Sequence, residues 1–370
     1  MTSSHECAAR LDRARAATSA AGLDTLLVTP GPDLAYLTGY HAVPLERLTC
    51  LLVPAAGEPS IVVPLLEVAA AAASPIGALG LAIHPWGEND DPYALVADLL
   101  APAAQVALDD HMWAAKVLAL REAMPGVEQR QGGPVTRELR MRKSADEVGA
   151  LRAAGAAIDA VHARVHEWLV PGRTEREVGA DIADAIRAAG HRSVDFVIVA
   201  SGPNGASPHH EVSDRVIRAG DAVVVDIGGT MSSGYCSDCT RVYAVGEPGA
   251  EFLAAYQVLQ AAQEAACQWA RPGVSCASVD AAAREVIEAA GYGDLFIHRT
   301  GHGIGLETHE DPYIVTGNDL ILEPGMTFSV EPGIYLQGRF GARIEDIMVC
   351  TESGADRLNH RPRELAVLEG

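Results

Sequence analysis

The sequence predicts an α/β layer domain followed by an α+β domain built as two copies of one unit, with an internal pseudo-two-fold repeat. Three observations predict it. Strand-like runs alternate with helical segments through the first third of the chain. Farther on, a pattern of helix, Pro-Gly turn, helix and Ala-Ala-Gly stop appears twice at a constant offset of 101 positions. Each copy is then followed by strand-like runs that carry a pair of acidic residues.

Taken from the start, a helical pattern through Leu11 to Ala21 stops at Gly22, a residue that tolerates the left-handed backbone of a helix end. Strands are expected in the run DTLLVTP and at Leu48 to Pro54, Ser60 to Pro64, Leu81 to Trp86 and Val106 to Asp110. Ala-rich or amphipathic segments separate them, which is the pattern of a layered α/β domain. No G-x-G-x-x-G follows the first strand, so a dinucleotide site is not expected there. Gly132-Gly133-Pro134 is the natural boundary, giving domains 1–134 and 135–370. Both are long enough for their own cores in a chain of 370 residues that is 48% hydrophobic. Beyond the boundary, Ser144-Ala-Asp-Glu147 is a capping box expected to open a helix running to about Trp168.

A formal net charge of -21 excludes nucleic acid and an anionic membrane surface as partners, since both need clustered Lys and Arg. The N-terminus MTSSHECAARLDRARAA has neither a basic nor an apolar leader region, and no uncharged apolar run long enough to span a membrane occurs elsewhere. A cytoplasmic protein is expected. The seven cysteines are scattered and odd in number, which suits a reducing compartment. Cys236 and Cys239 make one C-x-x-C with no second pair to complete a zinc site, and are read as small core residues.

In the second domain, Trp168, Pro171, Gly172, Val178, Ile186 and Ala188-Ala189-Gly190 return as Trp269, Pro272, Gly273, Val279, Ile287 and Ala289-Ala290-Gly291. The echo continues into the strands. Gly220 and Gly228 bracket Asp226 as Gly325 and Gly333 bracket Glu331, and each acid is followed by a second, Asp238 and Glu345. A hairpin is expected around Gly228, Gly229, Ser233 and Gly234, with Asp226 and Asp238 inside buried strands. A buried carboxylate costs several kcal/mol unless paired or bound to a cation. One acid capping a turn and the other pairing with Arg241 is the plain alternative for the hairpin alone, but a pseudo-two-fold would bring all four acids together.

Four converging carboxylates are neutralised by two divalent cations. Oxygen-rich ligation favours Mn²⁺, with Co²⁺ and Zn²⁺ feasible. Two such ions can share and deprotonate a water, so metal-assisted hydrolysis by a bridging hydroxide is the expected chemistry. Amide hydrolysis also needs imidazoles for the oxyanion and for protons. His302 lies in HRTGHGIGLETH, where glycines are expected to let the backbone approach a metal, and it has no counterpart in the first copy. His309 and His209, the latter in NGASPHH, are the further candidates.

At these residues the chain resembles a known family. DIGGTMSSGYCSDCTR, HRTGHGIGLETHE, FSVEPGIY and RIED are similar to the motifs of the pita-bread metallopeptidases, which include Xaa-Pro dipeptidases (prolidases), aminopeptidase P, methionine aminopeptidase and creatinase. DLAYLTGY resembles the creatinase-type N-terminal domain and LRMRKSADEV the opening of the catalytic domain, so the similarity spans nearly the whole chain. The resemblance implies that Asp226 chelates one metal, that Asp238 and Glu345 bridge both, and that His302 and Glu331 complete the other. It implies that His209 and His309 contact the scissile carbonyl, that Arg343 and Tyr335 orient acids or substrate, and that His298 lines a pocket for the proline ring. Asp226 and Asp238 stand twelve residues apart where eleven is commoner in the family; an insertion at the Ser232-Ser233 tip is expected to absorb the difference.

The activity so implied is hydrolysis of Xaa-Pro dipeptides, with aminopeptidase P action on longer peptides as the alternative. A creatinase-like hydrolase and a non-catalytic binding protein are disfavoured by the intact five ligands. The substrate is a small peptide with proline second, and a homodimer is expected, as in relatives. The N-terminal domain would cap the cleft, or reach across a dimer into the partner's cleft, and limit substrate length, with loops such as Asp33 to Arg47 helping to select the dipeptide.

Overall fold

The computed structural model describes residues 3–370. The chain divides into two compact units between Arg140 and Met141. Gly133 and Pro134, expected at the domain boundary, begin a helix, Gly133–Met141, that runs up to this division. Proline is well placed in a first helical turn, where its missing N–H has no partner to lose.

The first unit holds a six-stranded sheet of β1 (Thr25–Val28), β2 (Cys50–Pro54), β3 (Ser60–Pro64), β4 (Ala82–Trp86), β5 (Gln105–Leu108) and β6 (Glu128–Gln131), ordered β4-β3-β2-β1-β5-β6. β1 to β3 pair antiparallel, whereas β3 with β4 and β1 with β5 with β6 run parallel. The expected strands are therefore present, and one more. β6 reads Glu-Gln-Arg-Gln, a polar edge strand with no hydrophobic signal. β5 ends at Leu108 because Asp109 turns to accept from the Thr29 amide and hydroxyl at 2.7 and 2.8 Å. Asp33 to Thr38, expected within a loop, lie in the buried helix Pro32–Thr38, and Asp33 pairs with Arg140 at 2.8 Å.

In the second unit the capping box at Ser144 and Glu147 forms as expected. The helix it opens, Ala145–His162, stops six residues short of Trp168. Its last side chain, His162, turns into the core between Tyr243 Oη and the Cys239 carbonyl, and a 3-10 turn follows at Val165–Glu167. The second helix of this copy is Glu175–Ala188, and the second copy has Ala250–Trp269 and Cys276–Ala289. The duplication extends to single hydrogen bonds. Gly172 N–H donates to Ile217 O and Gly273 N–H to Leu322 O, both at 3.0 Å, and Thr174 bridges Val216 as Ser275 bridges Ile321.

The strands of this unit are β7 (His191–Ser201), β8 (Ala222–Met231), β9 (Cys236–Val245), β10 (Gly301–Gly303), β11 (Glu310–Ile314), β12 (Thr327–Val330), β13 (Gly333–Leu336), β14 (Phe340–Arg343), β15 (Asp346–Cys350), β16 (Ala355–Arg357) and β17 (Ala366–Leu368). They form sheets β17-β9-β8-β7 and β11-β10-β12-β15-β16 and the ribbon β13-β14. Strand alternation assigns the faces. Val223, Val225 and Ile227 join the core under the first copy's helices, whereas Ala222 and Val224 join the second copy's core. The even-numbered side of β8, which carries Asp226, thus faces inward between the copies. Gly228 and Gly229 sit inside β8 rather than in the turn. A Cβ at Gly228 would lie 2.5 Å from the Phe196 ring and from Ser237 O, and one at Gly229 2.5 Å from Ser193 O, so these glycines serve close strand packing. The turn itself is Ser232 to Tyr235, with Gly234 at φ +91, and the β8–β9 register runs unbroken from Thr230↔Cys236 to Ala222↔Ala244.

Candidate metal centre

Asp226 and Asp238 come from β8 and β9. Asp226 pairs with Thr240 and Asp238 with Gly228, so both acids and Thr240 share one face of the hairpin. The second copy supplies its acids differently. Glu331 follows the end of β12 and Glu345 precedes β15, at a break between Val330↔Asp346 and Gly333↔Arg343. Pro332 has no N–H to continue the ladder, so the ribbon opens there and both acids lie at the break rather than within strands. Ile334, Ala342 and Ile344 enter the core, which leaves Tyr335, Arg343 and Glu345 on the opposite, site-facing side.

His302 lies in β10. The flanking glycines serve the neighbouring backbone: a Cβ at Gly301 would meet Ser329 O at 1.9 Å, and one at Gly303 would meet Asp311 O at 2.2 Å. Close approach between strands is what these two glycines permit. His302 Nδ1 lies 3.1 Å from Gly303 O, a contact that fixes the tautomer and turns Nε2 toward the acids. Nε2 is 3.0 Å from Glu331 Oε1, 3.8 Å from Asp238 Oδ2 and 4.0 Å from Glu345 Oε1.

These five residues form two overlapping triads, His302–Glu331–Glu345 and Asp226–Asp238–Glu345, with the ligand atoms of each within 4.8 Å of one another. Glu345 is common to both. A third group joins Asp238, His302 and His309, and the His302 and His309 rings lie 4.0 Å apart. Asp226, Asp238, His302 and Glu345 are all at most 7% exposed.

The oxygens divide into held and free. Thr240 Oγ1 donates to Glu345 Oε2 at 2.8 Å, Arg343 Nη2 donates to Asp226 Oδ2, and Ser329 Oγ donates to Glu331 Oε1 at 2.9 Å. Asp226 Oδ1 and Glu345 Oε1 are buried with no hydrogen-bond partner among the described residues. Leaving such atoms unsatisfied is costly, and a hard divalent cation is the partner that two clustered carboxylate oxygens fit.

The electrostatics agree. Burial first, then the charges of Glu345, Asp226 and Glu331, push the Asp238 carboxyl well above the usual carboxylate range; burial, then Glu331 and Asp226, do the same to Glu345. Burial also opposes ionisation of Glu331, but His302, His298 and Arg343 outweigh it and bring Glu331 down to about 2. Burial and then His302 bring His309 down to about 4.

Of the remaining expected residues, three form one chain. His298 Nε2 is 2.9 Å from Tyr335 Oη, Arg343 Nη1 donates to the same oxygen at 2.8 Å, and Arg343 then reaches Asp226. His209 and His309 are exposed; the His309 ring lies beside that of His302, and the residue before His209, Pro208, accepts from Arg343 through its carbonyl. Thr240 and Ser329 were not singled out in the sequence. Thr240 lies two residues after Asp238 on one strand face and Ser329 two residues before Glu331 at the end of its strand, and that spacing is the signal that finds them. All seven cysteines carry free thiols, with Cys236 and Cys239 buried beside Asp238.

Residues 149–352 match the model of metallopeptidase family M24, and residues 10–142 match that of the creatinase/prolidase N-terminal domain. The chain is 56% identical over 363 residues to a probable dipeptidase PepE of Mycobacterium tuberculosis (strain ATCC 25618 / H37Rv), covering 98% of this chain and 96% of the relative. It is 35% identical to an Xaa-Pro dipeptidase of Lactobacillus helveticus over 90% of this chain and 92% of that one. Dipeptidase PepE from Mycobacterium ulcerans superposes with a TM-score of 0.96 at 54% identity, covering 100% of both chains.

Proposed function

The chain belongs to metallopeptidase family M24, and on that premise we propose that it hydrolyses Xaa-Pro dipeptides with two divalent cations held by Asp226, Asp238, His302, Glu331 and Glu345. The observation that carries this reading is the pair of triads sharing Glu345, with a buried, unpartnered oxygen on both Glu345 and Asp226. The oxygen-rich donor set favours Mn²⁺, with Co²⁺ and Zn²⁺ also suited. Bound there, two such ions would supply Lewis acidity and lower the pKa of a bound water toward neutrality.

The chain's own residues do the rest. Arg343 and Thr240 each hold one oxygen of an acid so that the other faces the centre. His209 and His309 are the donors for the scissile carbonyl oxygen as charge develops on it. His298, half-buried and backed by the buried rings of Phe296 and Tyr335 at centroid distances of 5.2 and 5.4 Å, is the residue offered to a proline ring. An Xaa-Pro bond is a tertiary amide without an N–H, so a site that recognises the ring and the carbonyl needs no acceptor for an amide proton. The Lactobacillus relative's description as an Xaa-Pro dipeptidase supports the same substrate.

The test is hydrolysis of Ala-Pro, Ala-Pro-Ala and Ala-Ala after chelation and readdition of Mn²⁺, Co²⁺ or Zn²⁺. Metal-restored cleavage of Ala-Pro alone is expected. Cleavage of Ala-Pro-Ala would favour the aminopeptidase P reading, and cleavage of Ala-Ala with Ala-Pro untouched would remove the proline preference. The same reading takes the protein as cytoplasmic and as a homodimer; light scattering on the purified chain checks the second.

A further inference from the structure

The segment that carries His209 is held by a carboxylate with no part in the metal centre. Glu175 opens the second helix of the first copy, and its side chain is fully buried. Its Oε1 accepts from the Ser201 amide at 2.8 Å, the Ser201 hydroxyl at 2.6 Å and Asn204 Nδ2 at 3.0 Å. Its Oε2 is 2.8 Å from His210 Nε2 and accepts from the Ser213 hydroxyl at 2.6 Å and the Ser213 amide at 3.2 Å. One carboxylate therefore closes residues 201–213 at both ends and grips the neighbour of His209 in between.

The far side of the segment rests on the site. Ala206 O accepts from Gln337 Nε2 at 2.9 Å, and Pro208 O from Arg343 Nη2 at 3.3 Å. The two neighbours of His209 are thus both tied, His210 to the Glu175 clamp and Pro208 to Arg343 on the ribbon.

The second copy uses the same device. Asp280 is fully buried in its second helix, and its Oδ1 accepts from the Thr300 amide at 3.1 Å and hydroxyl at 2.7 Å, as Glu175 does from Ser201. Thr300 O in turn accepts from the Glu331 amide at 2.7 Å. The repeat offset sets Asp280 against Gly179, one helical turn beyond Glu175 and on the same face. At Gly179 a Cβ would lie 2.9 Å from Val212, so the first copy leaves that position empty for the loop and carries the acid a turn earlier.

From this geometry we infer that Glu175, acting through His210, is a positioning residue that fixes His209 over the metal centre. The inference rests on the reading of His209 as a donor to the scissile carbonyl. Displacing a donor by about 1 Å costs up to about 100-fold in rate, so loss of the clamp is expected to lower kcat/KM by at least about tenfold through His209 alone.

The test uses the Mn²⁺-loaded full chain with His210→Asn, Glu175→Gln and the milder Ser213→Ala, alongside His209→Ala and the double variant His209→Ala/His210→Asn. The expected result is that His210→Asn and Glu175→Gln lower kcat/KM on Ala-Pro while Mn²⁺ content and affinity stay at wild-type values. The double variant should be no slower than His209→Ala, because both changes remove one interaction. Hydrogen exchange should show amides of 201–213 losing protection while those of β9 keep it. Additive losses in the double variant, or undiminished protection of 201–213, would overturn the inference. If the wild type fails to cleave Ala-Pro, the functional reading fails and the exchange measurement alone decides whether the clamp exists.

Discussion

Neutralising Asp238 should stabilise the protein without metal and destabilise it with metal. Asp226, Asp238 and Glu345 each place an oxygen within 4.8 Å of the other two. At that distance two like charges repel by about 3 kcal/mol at an effective dielectric constant of about 20. Asp238 has two such neighbours, so with all three acids ionised Asp238→Asn removes a repulsion of at most about 6 kcal/mol. The demetallated wild type already relieves part of this by holding protons on Asp238 and Glu345. The expected gain is therefore about 1–3 kcal/mol. With metal the sign reverses, because ligand binding to the native state contributes about 2.7 kcal/mol per site at 100 times Kd, and the variant lacks a ligand. The assay is urea unfolding of both proteins in chelator and in saturating Mn²⁺, read as midpoints at constant slope. A variant less stable than wild type in chelator, or one with an undiminished gain from Mn²⁺, would refute the reasoning.

Two further predictions follow from the same groups. In demetallated protein, burial and neighbouring acids hold Asp238 and Glu345 protonated in the fold, whereas the unfolded chain releases those protons above about pH 4. The folded state then binds more protons, so these groups make stability fall as pH rises from about 4 upward. Glu331, brought down to about 2, acts oppositely and only in acid, its contribution fading as pH falls toward that value. Urea midpoints in chelator between about pH 5 and 8 check the sign, and a rising midpoint would contradict it. Separately, Arg343 donates at once to Asp226, Tyr335 and Thr240, and a lysine ammonium cannot reproduce that fork. Arg343→Lys should lower kcat on Ala-Pro by about 100-fold; wild-type kcat would contradict the role.

The repeat was legible because the residues that mark it, Pro-Gly turns and Ala-Ala-Gly stops, encode chain reversals by local backbone chemistry that survives whatever packs around it. The five clustered groups were legible for a related reason: a carboxylate among Val223, Val224 and Val225 or beside Ile344 is out of place unless something binds it. Less of the local geometry could be read. The Gly228-Gly229 pair looks like a turn in sequence, yet the crowding of Phe196 and Ser193 that demands it comes from residues more than thirty positions away. β6 carries no apolar period because it is an edge, and the helix end at His162 is set by Tyr243 and Cys239, far along the chain. Glu175 and Asp280 were invisible for a subtler reason. Glu175 directly follows the N-cap Thr174, where an acid is expected for the helix dipole, and nothing local says that it is buried against Ser201, His210 and Ser213.

The central claim is that two copies of one unit pool five side chains around a pair of divalent ions. Anomalous diffraction at the manganese edge from crystals grown with Mn²⁺ tests it most directly. Two peaks roughly 3.5–4 Å apart are expected, one against Asp226 and one against His302 and Glu331, with Glu345 touching both. A single peak, or peaks away from these five residues, would contradict it.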